Sequence, residues 1–194
     1  MDKNAESAKK SYYSLMSRYG LVIMQMDKNA ESALLYYKAE GAIQMEIRRD
    51  IYLSKLITKR HNGLIKVITG VRRCGKSYLL FNLFREYLKN NQVPDDHIIE
   101  MAFDAYENKK YQDPDVFFPY LTEKINDPNQ YYVLLDEVQL LGDFEFILNS
   151  LVRRKNVDVY VTGSSAKFLS KDIITEFRGR GDEVHMYPLT FAEF

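Results

Sequence analysis

Gly70-Val71-Arg72-Arg73-Cys74-Gly75-Lys76-Ser77 spells G-x-x-x-x-G-K-S, and no other stretch of the chain constrains its fold as tightly. The pattern suits a loop that wraps a polyphosphate. Backbone N–H groups must converge on the anion, and glycines allow close approach where a Cβ would collide with phosphate oxygens. The lysine brings positive charge to the β- and γ-phosphates, and the Ser hydroxyl ligates Mg2+. With glycine at about 7% of residues, a chance match has odds of roughly one in a hundred. The flanks agree. Leu64-Ile65-Lys66-Val67-Ile68-Thr69 predicts a buried parallel strand. Leu80, Leu83, Phe84, Tyr87 and Leu88 repeat at helical spacing after the loop. A helix starting there adds its partial positive charge to the site. The candidate nucleotide ligands are Gly70, Val71, Arg72, Arg73, Cys74, Gly75, Lys76, Ser77 and Tyr78.

Hydrolysis needs acids near the metal and the γ-phosphate. Tyr131-Tyr132-Val133-Leu134-Leu135 predicts a second buried strand, with Asp136 and Glu137 at its C-terminal end. Ligands of open α/β sheets bind at that end. Asp136 is the candidate Mg2+ ligand beside Ser77. Glu137 is the candidate general base, a role contributing roughly 10²–10⁴-fold. Two solvated acids capping a strand are the plainer alternative, which the phosphate loop some sixty residues earlier argues against.

Further along, Asp143 can cap a helix with apolar positions Phe144, Ile147, Leu148, Leu151 and Val152. Val157-Asp158-Val159-Tyr160-Val161 predicts a strand ending in Thr162-Gly163-Ser164-Ser165. Ser164 is a candidate γ-phosphate sensor, and a plain strand-to-helix turn is the other reading. In Phe177-Arg178-Gly179-Arg180-Gly181 two arginines suit a cationic finger, a device worth ~10³–10⁵ in rate in related chemistry. Arg180 leads Arg178 as the candidate, reaching a neighbouring subunit's nucleotide in preference to its own. A solvated connection before a final strand at Glu183-Val184-His185-Met186-Tyr187 is the alternative.

The 194 residues suit one α/β domain with a short extension, and 46% apolar content supports a sizeable core. A net charge of zero provides no global pull toward nucleic acid or membrane. The single cysteine fits a reducing cytosol, and no apolar run approaches the ~18 residues of a membrane span. The opening residues lack the basic-then-apolar order of a secretion signal. Cytoplasmic location is the expectation. Residues 1–44 differ from the rest. Met1-Asp2-Lys3-Asn4-Ala5-Glu6-Ser7-Ala8 recurs letter for letter at residues 26–33, each copy soon followed by a Tyr pair. This reads as a duplicated leader, weakly ordered or helical, ahead of a domain over residues 45–194.

Gly70–Ser77, Leu134-Leu135-Asp136-Glu137, Val161-Thr162-Gly163-Ser164 and Phe177–Gly181, in that order, resemble the AAA-type ATP-binding proteins of bacteria and archaea. The closing Tyr187-Pro188-Leu189-Thr190-Phe191-Ala192-Glu193-Phe194 is similar to the family's Pro-Leu-Ser-Phe-x-Glu-Phe segment. The likeness runs from about Arg48 to the last residue. It implies a three-layer α/β P-loop NTPase fold of the AAA type, with a parallel sheet of strand order 5-1-4-3-2. It also implies Mg2+-dependent ATP hydrolysis. Relatives often carry an asparagine after the fourth strand, where this chain has only hydroxyls. They also continue into a second domain that would begin where this chain ends, so the domain reads as truncated. The alternative function is a nucleotide-binding switch with little turnover. Beyond ATP and ADP, the open partner classes are a second copy, another protein and nucleic acid. No guanine-reading Asn-Lys-x-Asp pattern appears, which favours ATP.

Several single residues carry two readings. Tyr52 is placed either to stack on adenine or to lie in the core. Cys74 is a spacer or a redox switch. Arg72 and Arg73 face solvent or touch phosphate. His61, His97 and His185 lack metal-ligand spacing and read as structural or exposed.

Overall fold

The computed structural model describes residues 36–39, 42–45, 49–163, 177 and 179–189. The chain divides into two units, Met1–Arg48 with Leu189–Phe194, and Arg49–Pro188. In the first, β1 (Tyr36–Ala39) and β2 (Ala42–Met45) pair antiparallel, with Tyr36 opposite Met45. Composition allowed helix in this stretch. Tyr36, Tyr37 and Ile43 favour a pleated strand instead. Both duplicated copies lie outside the described residues.

The second unit alternates helices and strands. After α1 (Asp50–Thr58) comes β3 (Ile65–Gly70), then α2. This helix is continuous through Lys76–Tyr78, a wider π segment Leu79–Phe84, and Arg85–Asn90. β4 (Ile98–Ala102), α3 (Pro114–Lys124), β5 (Tyr131–Asp136), α4 (Phe144–Val152), β6 (Val157–Thr162) and β7 (Gly181–Met186) follow. The sheet order is β4-β5-β6-β3-β7, and every neighbouring pair is parallel. Read from β7, with the strands of this unit counted from β3, that is the expected 5-1-4-3-2.

Parallel strands covered on both faces read as unbroken apolar runs, and β3, β5 and β6 are buried at every position. Side-chain alternation still sorts them into two cores. Tyr131, Val133, Leu135, Val157, Val159 and Val161 pack with Phe117, Leu121, Leu148 and Leu151 of α3 and α4. Tyr132, Leu134, Tyr160 and Ile68 face the other way, against Leu56 of α1 and Leu79, Leu80, Leu83 and Phe84 of α2. Tyr52 belongs to this second core, so the core reading holds and Tyr52 is not an exposed adenine platform.

The helix starts use two devices. Asp113 accepts the Asp115 N–H at 2.9 Å, with Pro114 in the first turn of α3. Asp143 holds the same position before α4 but makes no side-chain cap. Its backbone is left-handed (φ 48°), and its carbonyl accepts the N–H groups of Phe146 and Ile147.

Candidate nucleotide-binding site

The C-terminal ends of β3, β5 and β6 meet at one edge of the sheet. β3 ends at Gly70, with φ +142°. A Cβ there would lie 2.3 Å from the Met186 carbonyl oxygen. The first glycine of the motif is therefore required by close contact with β7, whatever the ligand. Gly75 differs. Nothing lies within 4 Å of an added Cβ, and its φ of +92° is what demands glycine. Between them Arg73 is also left-handed (φ 67°), so the loop curls tightly before α2 begins.

Val71, Arg72 and Arg73 are exposed along this curl, whereas Cys74 turns inward and is buried. Lys76 is also buried, its Nζ donating to the carbonyls of Gly70 at 3.0 Å and Val71 at 3.1 Å. Ser77 and Tyr78 are exposed in the first turn of α2. A first-turn amide has no carbonyl one turn earlier to bond, so these N–H groups form a natural anion seat.

Two strands away, Asp136 closes β5 with 4% exposure. The Thr162 hydroxyl donates to its Oδ1, and the Ser77 hydroxyl lies near enough to favour its charged form. Burial pushes the Asp136 carboxyl above its ordinary value of 3.8. The hydrogen bonds from Thr162 and Ser77 pull it back, and the negative charges of Glu137 and Asp104 push it further up. A buried carboxylate that touches a hydroxyl and lies beside other acids is a hard-oxygen site, which suits a hard dication such as Mg2+.

Glu137 follows in a left-handed conformation (φ 52°). Its N–H donates to Thr162 Oγ1 at 3.1 Å, and the Gln139 side-chain amide donates to its Oε2. Thr162 therefore links both acids through one fully buried hydroxyl. The candidate sensor, Ser164, lies outside the described residues, as does Arg178. In the sequence Thr162 stands only as one of the small polar residues ending the β6 run; the strand order, which seats β6 beside β5, singles it out from Ser164 and Ser165.

Arg180 is not brought to this site. Its carbonyl accepts the Ile65 N–H at 2.8 Å, which sets it beside the start of β3, and its Nη1 reaches Asn149 Oδ1 at 3.3 Å. The six residues of β3 rise about 3.3 Å each, so Arg180 stands a full strand length from Gly70. That placement keeps Arg180 away from this chain's own phosphate loop and leaves its preferred reach, toward a second copy, as the expectation. The three histidines also sit apart from the site's acids. His61 Nε2 meets the Tyr132 hydroxyl at 2.8 Å, His97 stacks on Tyr131, and His185 Nδ1 meets Thr69 Oγ1 at 2.9 Å.

Comparison with known proteins follows the same lines. A family profile described as "AAA domain" matches residues 62–194. An uncharacterized protein of Haemophilus influenzae is 37% identical over 149 residues, covering 76% of this chain and 37% of that protein. One of Methanocaldococcus jannaschii is 34% identical over 155 residues, covering 76% of this chain and 31% of that protein. The chain thus spans about a third of the length of these curated relatives. Among solved structures, a DNA polymerase III gamma subunit-related protein of Thermotoga maritima shares the fold. Its TM-score is 0.52 at 11% identity, over 70% of this chain and 45% of that one.

Proposed function

The chain belongs to the AAA domain family, and from that premise we propose that residues 49–188 bind Mg-ATP and hydrolyse it to ADP and phosphate. The observation that carries the reading is the meeting of Ser77, from the phosphate loop, with the buried Asp136 carboxylate at the end of β5, to which the Thr162 hydroxyl donates. It joins the residue types that hold a nucleotide-bound dication at one point of the sheet edge.

In the bound state the Lys76 ammonium exchanges the Gly70 and Val71 carbonyls for the β- and γ-phosphates. The first-turn amides of α2 face the phosphate oxygens. Ser77 and Asp136 are the residues that would hold Mg2+, which when bound neutralises charge building on the phosphates. Glu137 accepts a proton from water as the water oxygen bonds to the γ-phosphorus and the bridging P–O bond breaks. Gln139 orients the Glu137 carboxylate and Thr162 fixes its backbone. Arg180 acts, if a second copy assembles, only on that copy's nucleotide.

A second reading, a nucleotide switch with little turnover, is supported by the chain's own groups holding both Lys76 and Glu137. Titration with Mg2+ and a non-hydrolysable ATP analogue tests the shared part. The wild type is expected to bind and Lys76→Ala is not. No binding at millimolar analogue by folded wild type overturns the proposal. Phosphate release from ATP then separates enzyme from switch.

A further inference from the structure

Arg49 opens the unit Arg49–Pro188. An arginine just ahead of a helix ordinarily keeps its head group in water, but Arg49 is only 3% exposed. Its Nη1 donates to the Cys74 carbonyl of the phosphate loop at 3.1 Å, and its Nη2 to the Tyr187 carbonyl beyond β7 at 2.6 Å. Its guanidinium carbon lies 4.6 Å from the Tyr52 ring centroid, and the Tyr52 hydroxyl accepts the Tyr187 N–H at 3.1 Å. The Arg49 carbonyl accepts the first amides of α1, from Tyr52 and Leu53, at 3.0 Å each. One side chain therefore joins the loop to both ends of the unit's backbone.

The geometry of the guanidinium matters here. Its two Nη atoms sit in a rigid planar fork, so the carbonyls they bond are held at a set separation. The Cys74 carbonyl belongs to the same short loop whose Gly70 and Val71 carbonyls are bonded by Lys76. A ligand that draws Lys76 away releases those carbonyls and resets the loop on which Cys74 rides. The fork then either keeps both partners by moving Tyr187, or gives one up. Wherever the fork keeps its Cys74 bond, the backbone at Tyr187 responds to the loop's occupancy.

We propose that Arg49 is a positioning residue that couples nucleotide occupancy of the phosphate loop to the backbone at both ends of the unit, at Arg49 and Tyr187. The coupling rests on the nucleotide-binding reading above. A lysine at this position keeps the charge but offers a single compact ammonium in place of the fork. It can bond one carbonyl well and cannot fix the separation of two.

The test uses the full chain as wild type, Arg49→Lys and Arg49→Ala, with a fluorescent ATP analogue and Mg2+. Affinity is measured, together with amide hydrogen exchange over residues 71–77 and at the Tyr187 amide. In wild type, ligand is expected to change exchange at both places. In Arg49→Lys the loop still responds, the Tyr187 amide no longer does, and affinity falls by at least about five-fold, the low end of measured couplings. A purely structural arginine would lower melting temperature without separating the two exchange responses. If Arg49→Ala does not fold, Arg49→Lys decides alone. A folded Arg49→Lys protein that responds at both places with wild-type affinity overturns the coupling. So does a wild type that binds analogue with no change at Tyr187, which leaves nucleotide binding standing. A wild type that binds nothing removes both.

Discussion

β3, β5 and β6 carry buried polar groups at both of their ends, on the face they share with α1 and α2, and the two ends differ electrically. At the N-terminal end Lys66 and Asp158 form a buried ion pair across β3 and β6. Tyr160 donates to Asp158 at 2.8 Å, and the His61 N–H does so at 3.1 Å. Lys66 donates also to the Leu64 carbonyl at 3.0 Å. Burial lowers the Lys66 pKa, with Asp158 opposing, and burial raises that of the Tyr160 hydroxyl. Opposite charges answer each other there. At the C-terminal end Asp136, Glu137 and Asp104 gather charges of one sign, and among the described residues the hydroxyls of Thr162 and Ser77 favour the charged form of Asp136. A single layer of side chains on that face, Ile68, Leu134 and Tyr160, separates an ion-paired cluster from a cluster of acids. A buried polar group alone does not mark a site; an unbalanced set of them does.

The sharpest way to break this contrast is Glu137→Gln. Phosphate release should fall by about 10²–10⁴-fold while analogue affinity stays near wild type. Equal turnover in wild type and variant removes Glu137 as the base. Lys66→Met tests the other end. It strands the Asp158 charge and should cost about 3–5 kcal/mol in urea unfolding, with analogue affinity unchanged; a weakened affinity would mean the two ends are not independent. Lys66→Met with Asp158→Leu should recover most of that loss. It falls short by about 1–3 kcal/mol, because the Tyr160 hydroxyl and the His61 N–H lose their acceptor. Thr162→Val removes the link between the acids and should cost about 1–3 kcal/mol, with a smaller loss of turnover than Glu137→Gln.

The smallest expected effect is a pH dependence. Asp136 binds its proton more tightly in the folded than in the unfolded chain, so the stability it contributes is full below 3.8 and is lost as pH rises through its elevated value. Without Mg2+, the melting temperature of wild type should therefore decline relative to Asp136→Asn across that acidic range. Parallel curves would show that Asp136 is not held at a raised value.

Much of this was legible without coordinates. The apolar run of Tyr131–Leu135, and that of Leu64–Thr69 around Lys66, read as strands covered on both faces, and the glycine loop between strand and helix marked the end of the sheet where β3 and β5 terminate. Residue types and spacing placed Lys76, Ser77, Asp136 and Glu137 because their chemistry is read along the chain. What stayed hidden depends on chain segments far apart in sequence. Arg49 gives no signal along the chain, and only the fold brings it to Cys74, 25 residues on, and to Tyr187, 138 residues on. Arg180 carries the chemistry of a finger, and parallel register with β3 sets it beside the start of that strand, away from this chain's own phosphate loop.

Local sequence therefore determined the strand–loop–helix unit, the acid pair and the glycine at Gly75, since backbone dihedrals and side-chain chemistry are properties of a few adjacent residues. Tertiary structure decided the rest. Gly70 owes its identity to the Met186 carbonyl, Thr162 owes its role to the strand inserted beside β5, and the gathering of acids around Asp136 arises from which neighbours the sheet order brings within reach. Distances between remote segments are set by packing, and packing is not written at any one place in the chain.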